Sequence, residues 1–263
     1  MQHTDNSQLL PLDLKDCRLL ADALGDTPET VISVHQLRRG LCRAYIAGDP
    51  AHFLGAVIQA NYSASEPTGF GSDPEVLWDL LRNIEDWDCI DVSSDCATAL
   101  GEIIESKMGA RVRYYADIYH TLTEPVLDFR NAAVRQLTLA DLDLLESAPP
   151  EVQGSGFRSP KDLLTNGIVA CAVVSGRIVS IAHTSALSGL HADMGAATLR
   201  QYRGCGLATT AASIVARHVQ NSGLTPVWSA GEDNAASLRI AEKLGFREVS
   251  RRTYVIIATG TID

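Results

Sequence analysis

The stretch Gln201–Thr209 combines glycines and small residues at a predicted strand-to-helix turn. Gly204 and Gly206 leave the backbone accessible, and apolar residues at helical spacing follow from Leu207 to Val219. Successive N–H groups at such a turn, together with those of the first helical turn, can converge on an anion. The helix dipole adds roughly 0.3–1 kcal/mol of attraction per exposed anion. The sequence therefore predicts a phosphate cradle at this turn.

The overall composition is typical of a globular protein and narrows the class of partner. Hydrophobic residues make up 46% and charged residues 21% of the 263 residues. A formal net charge of −10 argues against nucleic acid as a partner. No apolar run is long enough for a membrane span, and Met1–Asn6 lacks the basic and apolar regions of a signal peptide. We therefore expect a cytoplasmic protein with neither a nucleic-acid nor a membrane partner.

The six cysteines include no Cys-x-x-Cys pair and no nearby histidine pattern. This predicts reduced, mostly buried thiols and no metal site. Cys205 lies in the glycine turn, where a helix N-terminus lowers a thiol pKa. The anion that the turn is predicted to bind would lie in the same positive field at the helix N-terminus. Cys205 is therefore not interpreted as a nucleophile.

The elements that must position this turn alternate between strands and helices. For the second half we predict a strand–helix unit that starts at Val134–Thr138 and runs through Leu145. Two hairpin-connected strands, a third strand, the cradle helix, a strand, a second helix and a final strand follow. Their strands and second helix are Ile168–Val174, Arg177–Ala186, His191–Thr198, Pro226–Ser229, Asn234–Leu244 (helix) and Arg247–Ile257. Hairpins followed by alternating strands and helices indicate an α/β fold with a mixed sheet.

The first half repeats part of this order after two surface helices within residues 1–40. The predicted elements are strands Cys42–Ala47 and Phe53–Asn61, helix Pro74–Asp86, strand Cys89–Val92, helix Asp95–Lys107 and strand Arg111–Leu122. Glu105–Arg111 is similar to Ala241–Arg247 at an offset of 136 residues, and Gly69–Gly71 lies near the place corresponding to Gly204–Gly206. A degenerate internal duplication explains these similarities. The alternative is chance likeness between helix ends, because helices commonly close on glycine.

Two motifs together resemble those of the GNAT superfamily, the general-control-related N-acetyltransferases. Gln201–Gly206 matches the pattern Gln/Arg-x-x-Gly-x-Gly/Ala, and Asn234–Phe246 is similar to the second signature of that family at the expected distance. The resemblance covers residues 130–258. Within the superfamily, Thr225–Ser229 followed by Asn234 resembles the GNAT acetyltransferase-like group.

Members of that group carry an N-terminal half that is itself a weak GNAT-like unit. The resemblance therefore implies a GNAT fold, with a mixed α/β (α+β) sheet, in residues 126–263. A helical segment followed by a smaller, degenerate GNAT-like α/β unit is implied for residues 1–125.

The resemblance also implies acetyl-CoA as the cofactor. Backbone N–H groups from Arg203 to Ala208 would hold its pyrophosphate, and the pantetheine would lie between the splayed strands His191–Thr198 and Pro226–Ser229. A backbone N–H near Ala196 or Thr198 would polarise the thioester carbonyl. The implied cofactor-binding residues are Ala196, Ala197, Thr198, Gln201, Tyr202, Arg203, Gly204, Cys205, Gly206, Leu207, Ala208, Asn234 and Ser237.

The implied reaction is direct attack of a neutral amine on the thioester in a ternary complex. An ammonium with a pKa of about 10 must first lose a proton to a base. His191 and Asp193, which as i and i+2 share one face of their strand, and Glu232 are the candidates. For each, the alternative is a solvated rim charge or a strand-end side chain. His183 is interpreted as an ordinary residue of the sheet.

One departure from the family concerns the acid for the departing thiolate. Many members place a tyrosine seven residues after the asparagine, where this sequence has Ala241. Another group or water can protonate the thiolate, or it can leave unaided, since a thiol has a pKa of about 8.5. Tyr254 on the last strand is the nearest candidate by residue type.

Two other functions remain open. The first is a dinucleotide-binding oxidoreductase, because Gly204–Thr209 begins with Gly-x-Gly at the start of a helix, as a dinucleotide-binding motif does. Glu232 or Asp233 could then bind a ribose. Against this, Thr209 takes the third glycine position, and a hairpin instead of the first strand of a strand–helix–strand unit precedes the helix. A CoA-binding sensor or scaffold without catalysis is the other alternative, favoured by Ala241. Acyl transfer is preferred because positioning by itself lowers the barrier.

The expected acceptor is a small-molecule or peptide amine, and the protein is expected to be a monomer or a homodimer.

Overall fold

The computed structural model describes residues 9–258 of the chain. Residues 1–8 and 259–263 lie outside the described residues, and they include Met1–Asn6, the stretch compared above with signal peptides. Within the described range, no helix combines the length and the apolar character that crossing a membrane requires.

Helices and strands alternate along the chain as a mixed α/β fold, as the sequence predicts. The helices are α1 Leu14–Leu24, α2 Val31–Arg39, α3 Pro74–Leu81, α4 Ser94–Met108, α5 Leu142–Glu146, α6 Pro160–Asn166, α7 Leu207–Asn221 and α8 Ala235–Leu244. The strands are β1 Cys42–Asp49, β2 His52–Ala60, β3 Ser63–Phe70, β4 Cys89–Ser93, β5 Val112–Thr121, β6 Val134–Gln136, β7 Val169–Val174, β8 Arg177–Leu187, β9 His191–Thr198, β10 Thr225–Gly231 and β11 Arg247–Ile257.

Two elements are missing from the sequence-based prediction. Strand β3 contains Pro67 and Gly69, residues that are rare in strands, yet it pairs with β2 and with β4. Its place between partners, rather than its composition, makes it a strand. Helix α6 had a recognisable start, since the Ser159 hydroxyl accepts the N–H of Asp162 at 3.1 Å and Pro160 takes the first helical position.

The first compact unit contains the chain up to Gly25, residues Gln36–Ala116 and the chain from Arg251 onward. Strands β1, β2 and β3 form an antiparallel meander, β3 meets β4 in parallel, and β4 pairs antiparallel with the last part of β11. Leu77, Leu81, Leu100 and Ile104, from the inner faces of α3 and α4, are buried in its core.

The second compact unit contains Asp26–His35 and Asp117–Ser250. Strands β6 to β9 form an antiparallel meander, β9 and β10 are parallel, and β10 pairs antiparallel with the last part of β5. Helix α7 crosses from β9 to β10 and buries small residues, among them Ala211, Ala212 and Ala216, in the core. Small side chains allow this helix to approach the sheet closely.

The order of elements β3–α3–β4–α4–β5 in the first half repeats as β9–α7–β10–α8–β11 in the second. The last strand of each half completes the other unit. Residues 117–121 of β5 pair with β10, and residues 252–256 of β11 pair with β4. The division into residues 1–125 and 126–263 stays a prediction about where folding domains begin and end.

Candidate functional site

Strands β9 and β10 separate after a short parallel contact. Their pairing covers His191–Asp193 on β9 and Thr225–Val227 on β10. Strand β9 continues to Thr198 and β10 to Gly231 without further pairing between these two strands. This confirms the predicted splay of the two strands. Their diverging parts border a cleft of about 480 Å³.

The backbone of β9 offers amide groups to this cleft. The N–H of Leu199 donates to the carbonyl of Val179 on the opposite side, toward β8, at 2.9 Å. Because backbone groups alternate sides along a strand, the N–H groups of Ala196 and Thr198 point away from β8. The Nε of Arg203 donates to the Thr198 carbonyl at 3.1 Å, which agrees with that direction. Beyond Asp193, β10 does not pair with these groups.

The glycine turn at the start of α7 has the conformation of an anion cradle. Gly204 and Gly206 have φ angles of +80° and +73°, the left-handed region that favours glycine. A Cβ atom built at either position meets no atom of residues 9–258 within 4 Å, so this part of the chain leaves the space in front of the turn open. Gly206 is the N-cap and brings no side chain to accept the first N–H groups of α7, which have no acceptor within the helix. The turn therefore fits a phosphate group.

The cleft is lined by most of the residues that the family resemblance implies, except Gln201 and Cys205. The pattern Gln/Arg-x-x-Gly-x-Gly/Ala is also met two residues later, by Arg203, Gly206 and Ala208. All three residues of this second register line the cleft, and Gly206 caps the helix. The implied residues at the lining are Ala196, Ala197, Thr198, Tyr202, Arg203, Gly204, Gly206, Leu207, Ala208, Asn234 and Ser237.

Several lining residues are absent from the sequence-based prediction. Ala236, Arg239, Ile240 and Lys243 follow one face of α8, at the i, i+3, i+4, i+7 spacing that could have revealed them. Arg239 and Lys243 are exposed and, with Arg203, provide positive charge beside the cradle. Glu151, Thr209 and Trp228 complete the lining. The excess of cations favours a phosphorylated ligand.

Comparison with known proteins assigns the family. A model of the GNAT acetyltransferase family matches residues 128–256. Residues 128–256 belong to the GNAT superfamily. A GCN5-related N-acetyltransferase-like protein from Streptococcus suis is 22% identical, with a TM-score of 0.67 over 93% of this chain and 99% of that protein. No curated protein matches the sequence.

Two further solved structures share the GNAT fold. A putative GNAT acetyltransferase from Novosphingobium aromaticivorans is 17% identical, with a TM-score of 0.58 over 90% of this chain and 100% of that one. A tandem GNAT protein from the clavulanic acid biosynthesis pathway is 16% identical, with a TM-score of 0.58 over 97% of this chain and 99% of that protein. The tandem neighbour fits the two-unit architecture. The family supports acyl-CoA-dependent acyltransferase activity in general.

The position of the usual GNAT tyrosine lies in the core of this chain. Ala241 is fully buried in the cluster that contains Trp228 and Phe246. Trp228 packs edge-to-face on Phe246, with ring centroids 5.8 Å apart, and its Nε1 donates to the Ser237 hydroxyl at 2.9 Å. Residue 241 therefore presents no acid to the cleft.

Asp193 has the environment of a proton acceptor. It is 4% exposed, the Ser185 hydroxyl donates to its Oδ2, and its Oδ1 has no hydrogen-bond partner within residues 9–258. Burial raises the pKa of this carboxyl to about 7; the hydrogen bond from Ser185 opposes the rise, and the Asp117 carboxylate adds to it. The group can therefore take up and release a proton near neutral pH.

The other three catalytic candidates have different surroundings. His191 Nδ1 lies 2.8 Å from Asp26 Oδ1, and Asp26 also accepts hydrogen bonds from Ser188 and from Leu190. Burial acts to raise the Asp26 pKa, but these hydrogen bonds hold it below its usual value. Glu232 is exposed after β10, and Tyr254 belongs to the first unit, opposite Asp91 on β4.

The corresponding turn of the first unit has no cradle. Asp73 caps α3 by accepting the N–H groups of Glu75 and Val76, at 3.0 and 3.5 Å. A Cβ atom at Gly71 would lie 2.7 Å from the Leu54 carbonyl oxygen, so this turn is closed where the other is open. An acidic side chain thus occupies the helix end at which an anion would otherwise bind.

One argument against a dinucleotide site is wrong. Because β9 and β10 are parallel, β9–α7–β10 is a strand–helix–strand unit after all. The separation of β9 and β10 after Asp193, and the antiparallel pairing of β9 with β8, distinguish this arrangement from the continuous parallel sheet of a dinucleotide fold.

Proposed function

We propose that this chain is an acetyl-CoA-dependent N-acyltransferase that transfers the acetyl group to a primary amine by direct attack in a ternary complex. The observation that carries the proposal is the cleft between β9 and β10. It combines unpaired amides along β9 with a glycine cradle at the start of α7. An extended ligand that carries a thioester at one end and phosphates at the other matches this arrangement.

Each part of the cleft has a role in this proposal. The N–H groups of Arg203–Ala208 bind the pyrophosphate, with Arg203, Arg239 and Lys243 as nearby cations. The β9 amides and the first turn of α8, with Asn234 and Ser237, bind the pantetheine. When bound, acetyl-CoA supplies an acetyl group activated as a thioester. The N–H of Ala196 is the donor for the carbonyl oxygen of that group.

Asp193 is the proposed base. In the reaction the ammonium first passes one proton to a carboxylate and from there to solvent. The nitrogen–carbon bond then forms, the carbon–sulfur bond breaks, and the second proton that the nitrogen loses passes to solvent, which returns one to the thiolate. The buried Oδ1 of Asp193 has no hydrogen-bond partner in the described chain, and in this proposal it receives the proton. His191, held by Asp26, and Glu232 are the alternatives. Solvent protonates the thiolate, with Tyr254 as the side-chain alternative.

A second candidate function is CoA binding without catalysis, as a sensor or scaffold. The burial of Ala241 in place of a cleft-facing acid favours it. Release of free thiol from acetyl-CoA, measured with a panel of small amines, lysine peptides and peptides with free N-termini, separates the two. Amine-dependent release supports the transferase, whereas tight CoA binding without release on any amine would establish the binding module.

The remaining parts of the proposal concern partners and context. Residues 126–263 would form the transferase domain, and residues 1–125 would supply acceptor-site or structural surface without a second cofactor. The acceptor is a small-molecule or peptide amine. We place the protein in the cytoplasm, as a monomer or homodimer.

A further inference from the structure

His183 on β8 is 5% exposed, and both of its ring nitrogens are hydrogen-bonded to backbone. The Nε2 atom accepts the N–H of Ser155 at 2.7 Å, so the ring proton is on Nδ1. The Nδ1–H then donates to the carbonyl of Gly195 on β9, at 3.2 Å. Burial lowers the pKa of His183 to about 4, so the ring is neutral at pH 7 and this tautomer persists.

Two glycines make room for this imidazole. A Cβ atom at Gly154 would lie 2.3 Å from the ring Cδ2, and one at Gly195 would lie 2.7 Å from Cε1. Any larger residue at either position would displace the ring. The imidazole therefore fills a space that the loop before α6 and strand β9 shape together.

The carbonyl that His183 contacts belongs to the peptide group that ends in the N–H of Ala196. The two ends of a trans peptide point in opposite directions, so the Gly195 carbonyl faces β8 while the Ala196 N–H faces the cleft. A hydrogen bond to a carbonyl oxygen polarises the amide and strengthens its N–H as a donor. The N–H of Ser155, the ring of His183 and the Gly195–Ala196 peptide thus form one chain of hydrogen bonds that ends in the cleft.

We propose that His183 is a positioning residue that orients and strengthens the Ala196 N–H as the donor to the thioester carbonyl. His183 itself carries no proton to the reaction. This inference rests on the proposed function, because it gives the Ala196 N–H an acyl carbonyl to bind. It also links the loop Gly154–Gly156 to the donor, since the Ser155 N–H holds the ring.

His35 provides a matched control. It is also buried and contacts the same loop: its Nε2 lies 3.0 Å from the Gly156 carbonyl oxygen, and its Nδ1 accepts the N–H of Leu187 at 3.1 Å. Neither contact involves β9. Loss of His35 therefore perturbs the loop without removing the hydrogen bond to the Gly195 carbonyl.

The test compares His183→Leu with His35→Leu by the infrared band of bound acetyl-CoA labelled with ¹³C at the acetyl carbonyl, without an amine present. The band is expected to move toward its position in free acetyl-CoA in His183→Leu and to stay in place in His35→Leu. The preference of the protein for acetyl-CoA over a CoA thioether that lacks the carbonyl should fall about two- to tenfold in His183→Leu. An unmoved band in a His183→Leu variant that binds acetyl-CoA would overturn the inference.

A measurement on the wild-type protein covers the case in which His183→Leu does not fold. A scalar coupling across the hydrogen bond between His183 Nδ1 and the Gly195 carbonyl carbon is expected by NMR, and its absence overturns the inference. Failure of the proposed function is distinguishable, because it appears in the wild type as no binding of acetyl-CoA or no transfer to any amine.

Discussion

Replacing Gly204 by leucine should weaken CoA binding while leaving the fold intact. Gly204 has a φ angle of +80°, and a Cβ atom there meets nothing within 4 Å. The protein itself therefore accepts the side chain, and the loss of stability comes from the left-handed backbone, about 1–2 kcal/mol for a residue other than glycine. The leucine side chain would instead extend into the space in front of the first N–H groups of α7.

The expected loss of affinity follows from the contacts that the side chain would block. A hydrogen bond to a charged group contributes about 1.5–3 kcal/mol, so losing one weakens binding roughly tenfold to a hundredfold. Isothermal titration calorimetry with CoA measures this directly. The phosphate-free probe pantetheine should lose little affinity, because it does not reach the cradle.

Gly223 offers the matched control, because it lies just beyond the other end of α7. Its φ angle is +78°, and a Cβ atom there also meets nothing within 4 Å. Gly223→Leu should therefore lower the melting temperature as much as Gly204→Leu and leave CoA affinity unchanged. Equal affinities of the two variants for CoA would refute the cradle.

Four further predictions concern the base (two of them), the core and the first unit. Asp193→Asn should remove the rise of kcat/KM through about pH 7 and lower kcat/KM by about 10²–10⁴ above that pH, where the wild-type carboxylate is ionised; an unaltered pH–rate profile excludes Asp193. Because the folded-state pKa of Asp193 is raised, native stability falls as pH rises from about 4 to about 7, so Asp193→Asn should raise the melting temperature more at pH 8 than at pH 4. Ala241→Tyr should destabilise the fully buried site by about 1–3 kcal/mol or more in urea unfolding, and a stable variant with higher kcat would contradict this. Calorimetry should give one CoA per chain, since Asp73 occupies the helix end in the first unit; two would contradict the comparison of the turns.

Features that depend on neighbouring residues in the chain could be predicted from the sequence. The glycine turn, the helix that follows it and the Asn234 cap of α8 are local, because φ angles, caps and helical spacing depend on residues a few positions apart. The family motifs lie on these elements. The motif at the cradle still had two registers, and the position of the helix N-cap favours the second, which begins at Arg203.

Features that depend on long-range contacts needed the tertiary structure. Strand β3 has a sequence that is unfavourable for a strand, and it exists because β2 and β4 pair with it. No local signal predicts that β5, the last strand of the first half, pairs with β10, or that β11, the last strand of the second half, pairs with β4. The sequence also does not reveal that Ala241 faces the core, or that Trp228 lies in the same buried cluster.

The same division applies to the residues of the site. The types of His191, Asp193 and His183 and their places on strands could be seen in the sequence. The family resemblance implied that an ammonium loses a proton to His191, Asp193 or Glu232. Their surroundings differ because Asp26, Ser185 and Gly195 contact them in the folded chain. Burial and hydrogen bonds set pKa values and tautomers, and both arise from residues that are distant in sequence or on neighbouring strands. The sequence thus indicated where a phosphate could bind, because the glycine turn is local. The tertiary structure decided that Asp193 is buried and that its pKa is raised, because both depend on residues of neighbouring strands.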